Sequence, residues 1–246
     1  MPSSWASQIS PIMTIILAMS PRSILDIGAG FGKYGVLCRE YLDVVRSARS
    51  SPTYPPPRRV TIDCIEAWSH YVSPIHTYVY DNVYVGGATG VLSTLSAGAY
   101  DLALVVDVLE HFGVEEGRQL MEATLRVAGA ALVATPTTDM PQGATFGNEY
   151  ERHRSHWTPG QLRKLAAGSR FFRSLSAHTG HICLLSSDVA LVSRVSRQVR
   201  AFAWIACRTS LLERCHLRQP LRRLFRRDAL PSGSPWREPG GERRGG

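Results

Sequence analysis

The run Ser23-Ile-Leu-Asp-Ile-Gly-Ala-Gly-Phe-Gly-Lys-Tyr-Gly35 constrains this chain more than any other stretch. Ile24 to Ile27 is apolar and β-branched around one carboxylate, Asp26, and reads as a short buried strand. Glycines follow at 28, 30 and 32, and Tyr34 to Tyr41 reads as a helix. Strand, glycine turn and helix open a doubly wound α/β unit, whose ligand site lies beyond the strand's carboxyl end. Glycine belongs in such a turn because a side chain would block it and hold a ligand off the backbone. Spacing excludes two ligand classes. A G-x-G-x-x-G fingerprint would need glycine where Lys33 stands. A G-x-x-x-x-G-K-[ST] loop fails because Gly32-Lys33 lies too close to Gly28 and is followed by Tyr34. What remains is acidic-x-G-x-G-x-G, from Asp26, Gly28, Gly30 and Gly32, with a ligand-free strand-helix turn as the alternative.

The rest of the chain continues the β/α alternation. Residues 3–19 read as a helix from about Ser7, placed before the first strand. In residues 46–59 three consecutive prolines exclude helix and central strand, so this is a linker. Val60 to Ile65 is a second strand, ending in Glu66-Ala67-Trp68. A carboxylate there can accept from both vicinal hydroxyls of a ribose. Its interval from Gly28 exceeds the usual spacing of about 20 residues, and the proline linker accounts for the excess. Val83 to Val85 is a third strand, and residues 101–107 form a run fit for the sheet centre. Residues 115–128 are a helix with Leu120, Ala123, Thr124 and Val127 on one face, and Ala130 to Ala134 is strand five. Thr158-Pro-Gly-Gln161 opens a helix, with Thr158 as N-cap, Pro159 in first position and Gln161 completing a capping box. Phe171 to Leu175 and Ile182 to Ser186 are the final strands. The expected fold is therefore α/β: a doubly wound, Rossmann-like sheet of seven mostly parallel strands, closed by an antiparallel C-terminal hairpin and followed by a basic helical tail.

The Asp26–Gly32 pattern resembles motif I of the class I S-adenosylmethionine-dependent methyltransferases. Asp107-Val-Leu-Glu-His-Phe112 resembles the fourth-strand motif of many small-molecule methyltransferases. With Phe31-Gly-Lys-Tyr-Gly35, Tyr80-Asp-Asn-Val-Tyr84 and Asn148-Glu-Tyr-Glu-x-His-x-Ser-x-Trp157, the chain is similar to one prokaryotic group of that class over roughly residues 5–190. The resemblance implies S-adenosylmethionine as cofactor. It assigns contacts to Asp26, Gly28, Ala29, Gly30, Gly32, Glu66, Ala67, Trp68, Ala88, Asp107 and Val108, with Ala67 and Trp68 flanking the adenine. Trp5 and Gln8 on a covering helix, and Lys33 facing the cofactor's carboxylate, are further candidates. One departure stands out: Gly86-Gly87-Ala88 replaces the acidic residue common after the third strand.

Residues 137–157 carry little apolar periodicity, and a loop of that length in a compact domain is usually functional. Following strand five, it is expected over the methyl-transfer site. His111, Glu151, His153 and His156 are the candidates for taking an acceptor proton, since an imidazole titrates near pH 6.5. Tyr150 and Arg154 are candidate substrate contacts, with Arg154 suited to an anionic group and Trp157 to packing on an acceptor ring. A self-structured loop is the competing reading. No metal is assigned, because Asp107, Glu110 and His111 are three close ligands with no fourth.

Charge separates the tail from the body. Of a net +8, residues from Arg194 onward contribute thirteen arginines against four acids, leaving 15 basic and 16 acidic residues before them. The whole-chain charge therefore says nothing about the site. The expected division is a methyltransferase domain over 1–188, a basic amphipathic helical extension over 189–230 and a disordered tail over 231–246. In the helix, Leu191, Val192, Val195, Val199, Phe202 and Ala206 share one side and Arg194, Arg197, Arg200 and Arg208 the other. Docking on the body and peripheral contact with a membrane surface are two readings of the tail, and nucleic-acid contact through the cluster Arg218, Arg222, Arg223, Arg226 and Arg227 is the third. Five cysteines without C-x-x-C or zinc spacing, and no evident secretory signal, point to a reducing, cytoplasmic setting. The expected function is O-methylation of a small-molecule acceptor. A cofactor-binding scaffold without turnover and a nucleic-acid methyltransferase are the alternatives. The second is disfavoured: there is no Asn/Asp-Pro-Pro-Tyr/Phe tetrapeptide, and the body is not basic.

Overall fold

A computed structural model of the chain describes residues 4–45, 57–172 and 180–216, with backbone alone for 172 and 203–216. The elements run α1 (Ala6–Met19), β1 (Ser23–Ile27), α2 (Lys33–Cys38), β2 (Thr61–Glu66), α3 (Pro74–Val79), β3 (Val83–Val85), α4 (Ala88–Thr94), β4 (Tyr100–Val106), α5 (Val114–Val127), β5 (Ala128–Thr135), α6 (Pro159–Arg163), β6 (Gly168–Phe172), β7 (His181–Ser186) and α7 (Val189–His216). The strands form one seven-stranded sheet in the order β3-β2-β1-β4-β5-β7-β6. The β1–β2, β1–β4, β2–β3 and β4–β5 pairings are parallel. Strand β7 runs antiparallel to both β5 and β6. This is the expected architecture. The chain moves outward from β1 through β3, then crosses to β4 on the other side. That reversal leaves a crevice beyond the carboxyl ends of β1 and β4.

Alternation along the strands builds two apolar layers. Ile24, Ile62, Leu102, Leu104, Leu132 and Leu184 pack on one face against Ile12, Ile15 and Ile16 of α1. Leu25, Ile65, Ala103, Val105, Val133 and Leu185 pack on the other, against Leu120, Met121 and Val127 of α5. A strand buried on both faces must be apolar at nearly every position, and the burial of β1 past Ser23 follows. Each fully buried Leu or Ile contributes roughly 1.5–3 kcal/mol relative to exposure.

Three expectations change. Helix α2 ends at Cys38 and continues as a π-helical turn over Arg39–Val44. Arg39 and Asp43 of this turn are tied into the body of the protein. The Arg39 guanidinium bonds the Val79 and Val60 carbonyls and the Asp43 and Asp81 carboxylates at 2.6–2.8 Å. Asp43 in turn accepts from the Arg59 and Val60 amides. This ties α2 to the start of β2. Strand β6 begins at Gly168 rather than Phe171, because the register with β7 pairs Gly168 with Ser186 and Phe172 with Ile182. It is an edge strand, paired on one side only, where the polar Ser169 and Arg170 are tolerated. Residues 173–175 of the expected strand lie outside the described residues. In α6 the cap forms as expected, with Thr158 and Gln161 bonded reciprocally, but the helix stops at Arg163 and only Leu162 is fully buried.

In α7, Leu191, Val195 and Val199 pack into the α1 side of the core and Val192 is buried beside Gly168, so the apolar stripe of its first turns faces the protein. Residues up to Ala203 belong to one compact unit. The side chains of Trp204, Ala206 and Arg208, the arginines from 218 onward and residues 231–246 lie outside the described set, as do linker residues 46–56. Among the described residues no helix is long and apolar enough to cross a membrane. Cys38, Cys64 and Cys183 are buried free thiols.

Candidate functional site

A cavity of about 470 Å³ opens beyond the carboxyl ends of β1, β2 and β4. The glycine turn forms its floor. Gly28, Gly30 and Gly32 have φ of 71°, 56° and 81°, a region that side chains disfavour. A Cβ on Gly28 would lie 2.5 Å from the Val108 methyl, so the turn and the loop after β4 touch through a position only glycine fits. The Gly28 and Ala29 amides bond the Ile65 carbonyl, and His76 Nε2 sits 2.9 Å from the Gly30 carbonyl.

Three acidic side chains converge on this floor. Glu66 ends β2, with Oε2 accepting from the Gly30 amide at 2.8 Å and Oε1 from the Trp68 amide at 2.9 Å. Burial pushes its carboxyl up, and the bonds from Trp68 and Gly30 pull it back. Each oxygen keeps acceptor capacity, so the group is aimed and not consumed. Asp26 is buried in β1 and is pushed up to about 6 by burial, opposed by a 2.6 Å hydrogen bond donated by the Tyr80 hydroxyl. Asp107 follows β4 with φ of 52°, left-handed for a residue with a side chain. Strain of that kind costs about 1–2 kcal/mol and concentrates at functional sites. Its carboxyl is raised to about 6 by burial, against a bond from Gln8 and the charge of Lys33. Lys33 also lines the cavity, its Nζ donating to the Ser4 carbonyl at 2.8 Å.

The loop 136–158 arches over this floor and is stitched to the segment after β4. The Arg154 and Ser155 amides bond the Glu110 carbonyl at 2.8 and 3.1 Å, and Ser155 Oγ donates to the Phe112 carbonyl. Glu151 reaches the cavity wall, where Tyr71 donates to Oε1 at 3.2 Å and Gln142 to its backbone carbonyl. Exposed Tyr150 and Arg154 stand on the same wall. His111 lines it too, its ring nitrogen pulled down by burial and by the neighbouring His153.

Of the cofactor set, Asp26, Gly28, Ala29, Gly30, Glu66, Ala67, Ala88, Asp107 and Val108 all line the cavity; of the acceptor set, His111, Tyr150, Glu151 and Arg154 do. Five residues of these two sets do not. Gly32 caps α2 instead, against Ile75 and Tyr80. Trp68 leans on His70 and Tyr71, and Tyr71 takes its place on the wall. His156 bonds the Thr137 carbonyl within the loop. His153 bonds the Met140 carbonyl at 2.6 Å and meets the His111 ring from behind, centroids 5.0 Å apart. Trp157 is fully buried, its indole donating to the Leu109 carbonyl. It fills the space beside Gly117, where a Cβ would lie 2.5 Å from the indole. It is a core anchor for the loop. Trp5 is exposed and off the wall. Gly86 and Gly87 do lie on the wall, so the departure after β3 is inside the site.

Sequence reasoning also passed over Tyr71, Asn148, Glu116 and Gln119, which line the cavity. Only Asn148 carried a signal, as the first residue of the polar run in the loop.

No protein-family model and no curated protein matches the chain. Solved structures do. The kinase-methyltransferase WbdD is 17% identical over 76% of this chain with a TM-score of 0.49, and the chain spans 40% of its length. A SAM-dependent methyltransferase from Archaeoglobus fulgidus is 13% identical, covering 74% of this chain and 94% of its own, with a TM-score of 0.48. The methyltransferase domain of bacterial CtHen1 is 12% identical, covering 73% and 97%, with a TM-score of 0.48.

Proposed function

We propose that the chain is an S-adenosylmethionine-dependent methyltransferase that methylates a hydroxyl of a small molecule. The observation that carries this is the Glu66 carboxylate. It is buried at the end of β2 and oriented by the Gly30 and Trp68 amides, on one cavity floor with Asp26 and Asp107. The donor set fits the cofactor: Glu66 for two ribose hydroxyls, Ala67 and Ala88 with Val108 for the adenine, and Asp26 and Asp107 for a methionine ammonium. When bound, the cofactor supplies an electrophilic methyl on a sulfonium. The chain's own task is to hold the acceptor oxygen in line and to exclude water under loop 136–158. His111 and Glu151 are the wall groups that can receive the hydroxyl proton. His111 suits the task because burial keeps its imidazole neutral near pH 7. Exposed Tyr150 and Arg154 meet the acceptor at the rim.

The test is methyl transfer from labelled S-adenosylmethionine to a panel of hydroxylated small molecules, with Glu151→Gln and Arg154→Ala alongside. Label in an acceptor, with kcat reduced by Glu151→Gln and KM raised by Arg154→Ala, supports the reading. Tight cofactor binding with no acceptor methylated across the panel would replace it with the scaffold alternative.

A further inference from the structure

Glu110, His111 and His153 are brought together from two segments far apart in sequence. One ligand atom from each lies within 4.8 Å of the others. We propose that these three side chains bind a divalent transition-metal ion at the edge of the cavity.

The tautomers support it. His111 Nδ1 lies 3.3 Å from the Arg152 carbonyl, and His153 Nδ1 lies 2.6 Å from the Met140 carbonyl. A carbonyl oxygen can only accept, so both Nδ1 atoms carry the proton. Each Nε2 is then left with its lone pair. An imidazole whose second nitrogen donates to a backbone carbonyl is the usual arrangement of a metal-ligating histidine. Here it occurs in both rings of a contacting pair.

The carboxylate supports it independently. Glu110 is 2% exposed, and its side chain is held by Thr135 Oγ1 at 3.2 Å. Among the described residues no lysine or arginine forms an ion pair with it. A buried carboxylate without a cation is costly, and a coordinated cation removes that cost.

The frame is built rather than incidental. The amides that fasten the loop to the Glu110 carbonyl belong to Arg154 and Ser155, next to His153. That fastening sets the third ligand against the first two. Ligands about 2.1 Å from one ion sit roughly 3–3.5 Å apart, so closing the group needs side-chain rotations of about an ångström. Two imidazoles and one carboxylate suit zinc, manganese, iron or cobalt, whereas magnesium and calcium prefer all-oxygen sites. Three protein ligands leave a coordination position open, and His111 faces the cavity. Resting on the methyltransferase reading, that position is where the acceptor's oxygen is held, with Glu151 left to take its proton.

The experiment is titration of the chelator-stripped full chain with Co²⁺, followed by visible absorption, and with Zn²⁺ by calorimetry. His153→Ala, Glu110→Gln and, as control, His156→Ala are measured in parallel. Losing even an outer-shell partner typically weakens metal binding about 10–100-fold. The expectation is one ion per chain, at least tenfold weaker in the first two variants and unchanged in His156→Ala. Metal-free melting of each variant separates a lost ligand from a lost fold, and His153, half-exposed on the loop, is the replacement the fold tolerates best. Absence of stoichiometric binding, or binding indifferent to both ligand replacements, overturns the site. Neither titration contains S-adenosylmethionine. Metal binding without cofactor binding therefore refutes the methyltransferase reading alone, and cofactor binding without metal refutes this site alone.

Discussion

Replacing Tyr80 by phenylalanine removes one hydroxyl donor from beneath the cavity floor and should make stability depend on pH in a calculable way. Both partners are buried, and the bond to Asp26 is 2.6 Å long. The Asp26 carboxyl stands at about 6 in the folded chain against 3.8 as a free group. Its folded value is raised, so its stabilising contribution is complete below pH 3.8 and is lost as pH rises through 6. At one pKa unit per 1.36 kcal/mol, the ionised carboxylate costs the wild type roughly 3 kcal/mol above pH 7. A hydrogen bond to a charged group contributes about 1.5–3 kcal/mol, against about 1 for a neutral pair. Removing the donor should therefore raise the folded value by a further half to one and a half units, roughly. At pH 5 Asp26 is protonated in both folded proteins, and the variant loses only the neutral bond, about 1 kcal/mol. Above pH 8 it loses about 0.5–2 kcal/mol more. Guanidinium unfolding at pH 5, 6.5 and 8.5, read as midpoint shifts at constant m, measures this directly. A loss that is the same at all three pH values, or larger at pH 5, would show that the hydroxyl does not hold an ionising Asp26.

Gly28→Ala combines a left-handed φ with a Cβ 2.5 Å from Val108; denaturant unfolding should show a loss of about 2–4 kcal/mol, partly recovered by adding Val108→Ala. Trp157→Ala should cost about 3–5 kcal/mol of stability in the same assay, because the indole is core; a stable variant with only a raised acceptor KM would return Trp157 to the substrate set. The Asp81 carboxyl is pushed up by burial but held below its usual range overall by the Ile62 amide and by Arg58 and Arg39. Its contribution is present above pH 3.8 and lost as pH falls, and solvent screens it at this exposed site, so Asp81→Asn should destabilise the chain at pH 7 by about 0.5–1 kcal/mol and make little difference near pH 2.5.

What could be read from the sequence was what depends on neighbours in the chain. The β1 strand and its glycine turn, Glu66 at the end of β2, the three-residue β3 and the Thr158 cap are local patterns, and each stands where its spacing placed it. The loop over the cavity was recognisable as functional, but its side chains could not be aimed. Whether Trp157 faces an acceptor or the core is decided by Gly117 on α5, forty residues earlier. That glycine stands in the first turn of α5 and leaves the space that the indole fills. His111 and His153 are as far apart, and no periodicity links them. Asp107, Glu110 and His111 formed a set too small to assign a metal; a left-handed backbone turns Asp107 toward Gln8, and His153 is the side chain that lies with the other two.

The central claim rests on Glu66, and a calorimetric titration of S-adenosylhomocysteine into the wild-type chain and a Glu66→Ala variant tests it most directly. Two charge-assisted hydrogen bonds, about 1.5–3 kcal/mol each, correspond to at least a hundredfold in affinity. The prediction is one site of micromolar affinity in the wild type and binding at least a hundredfold weaker in the variant, with the variant still folded by circular dichroism. No binding to the wild-type chain, or equal binding to both, would contradict it.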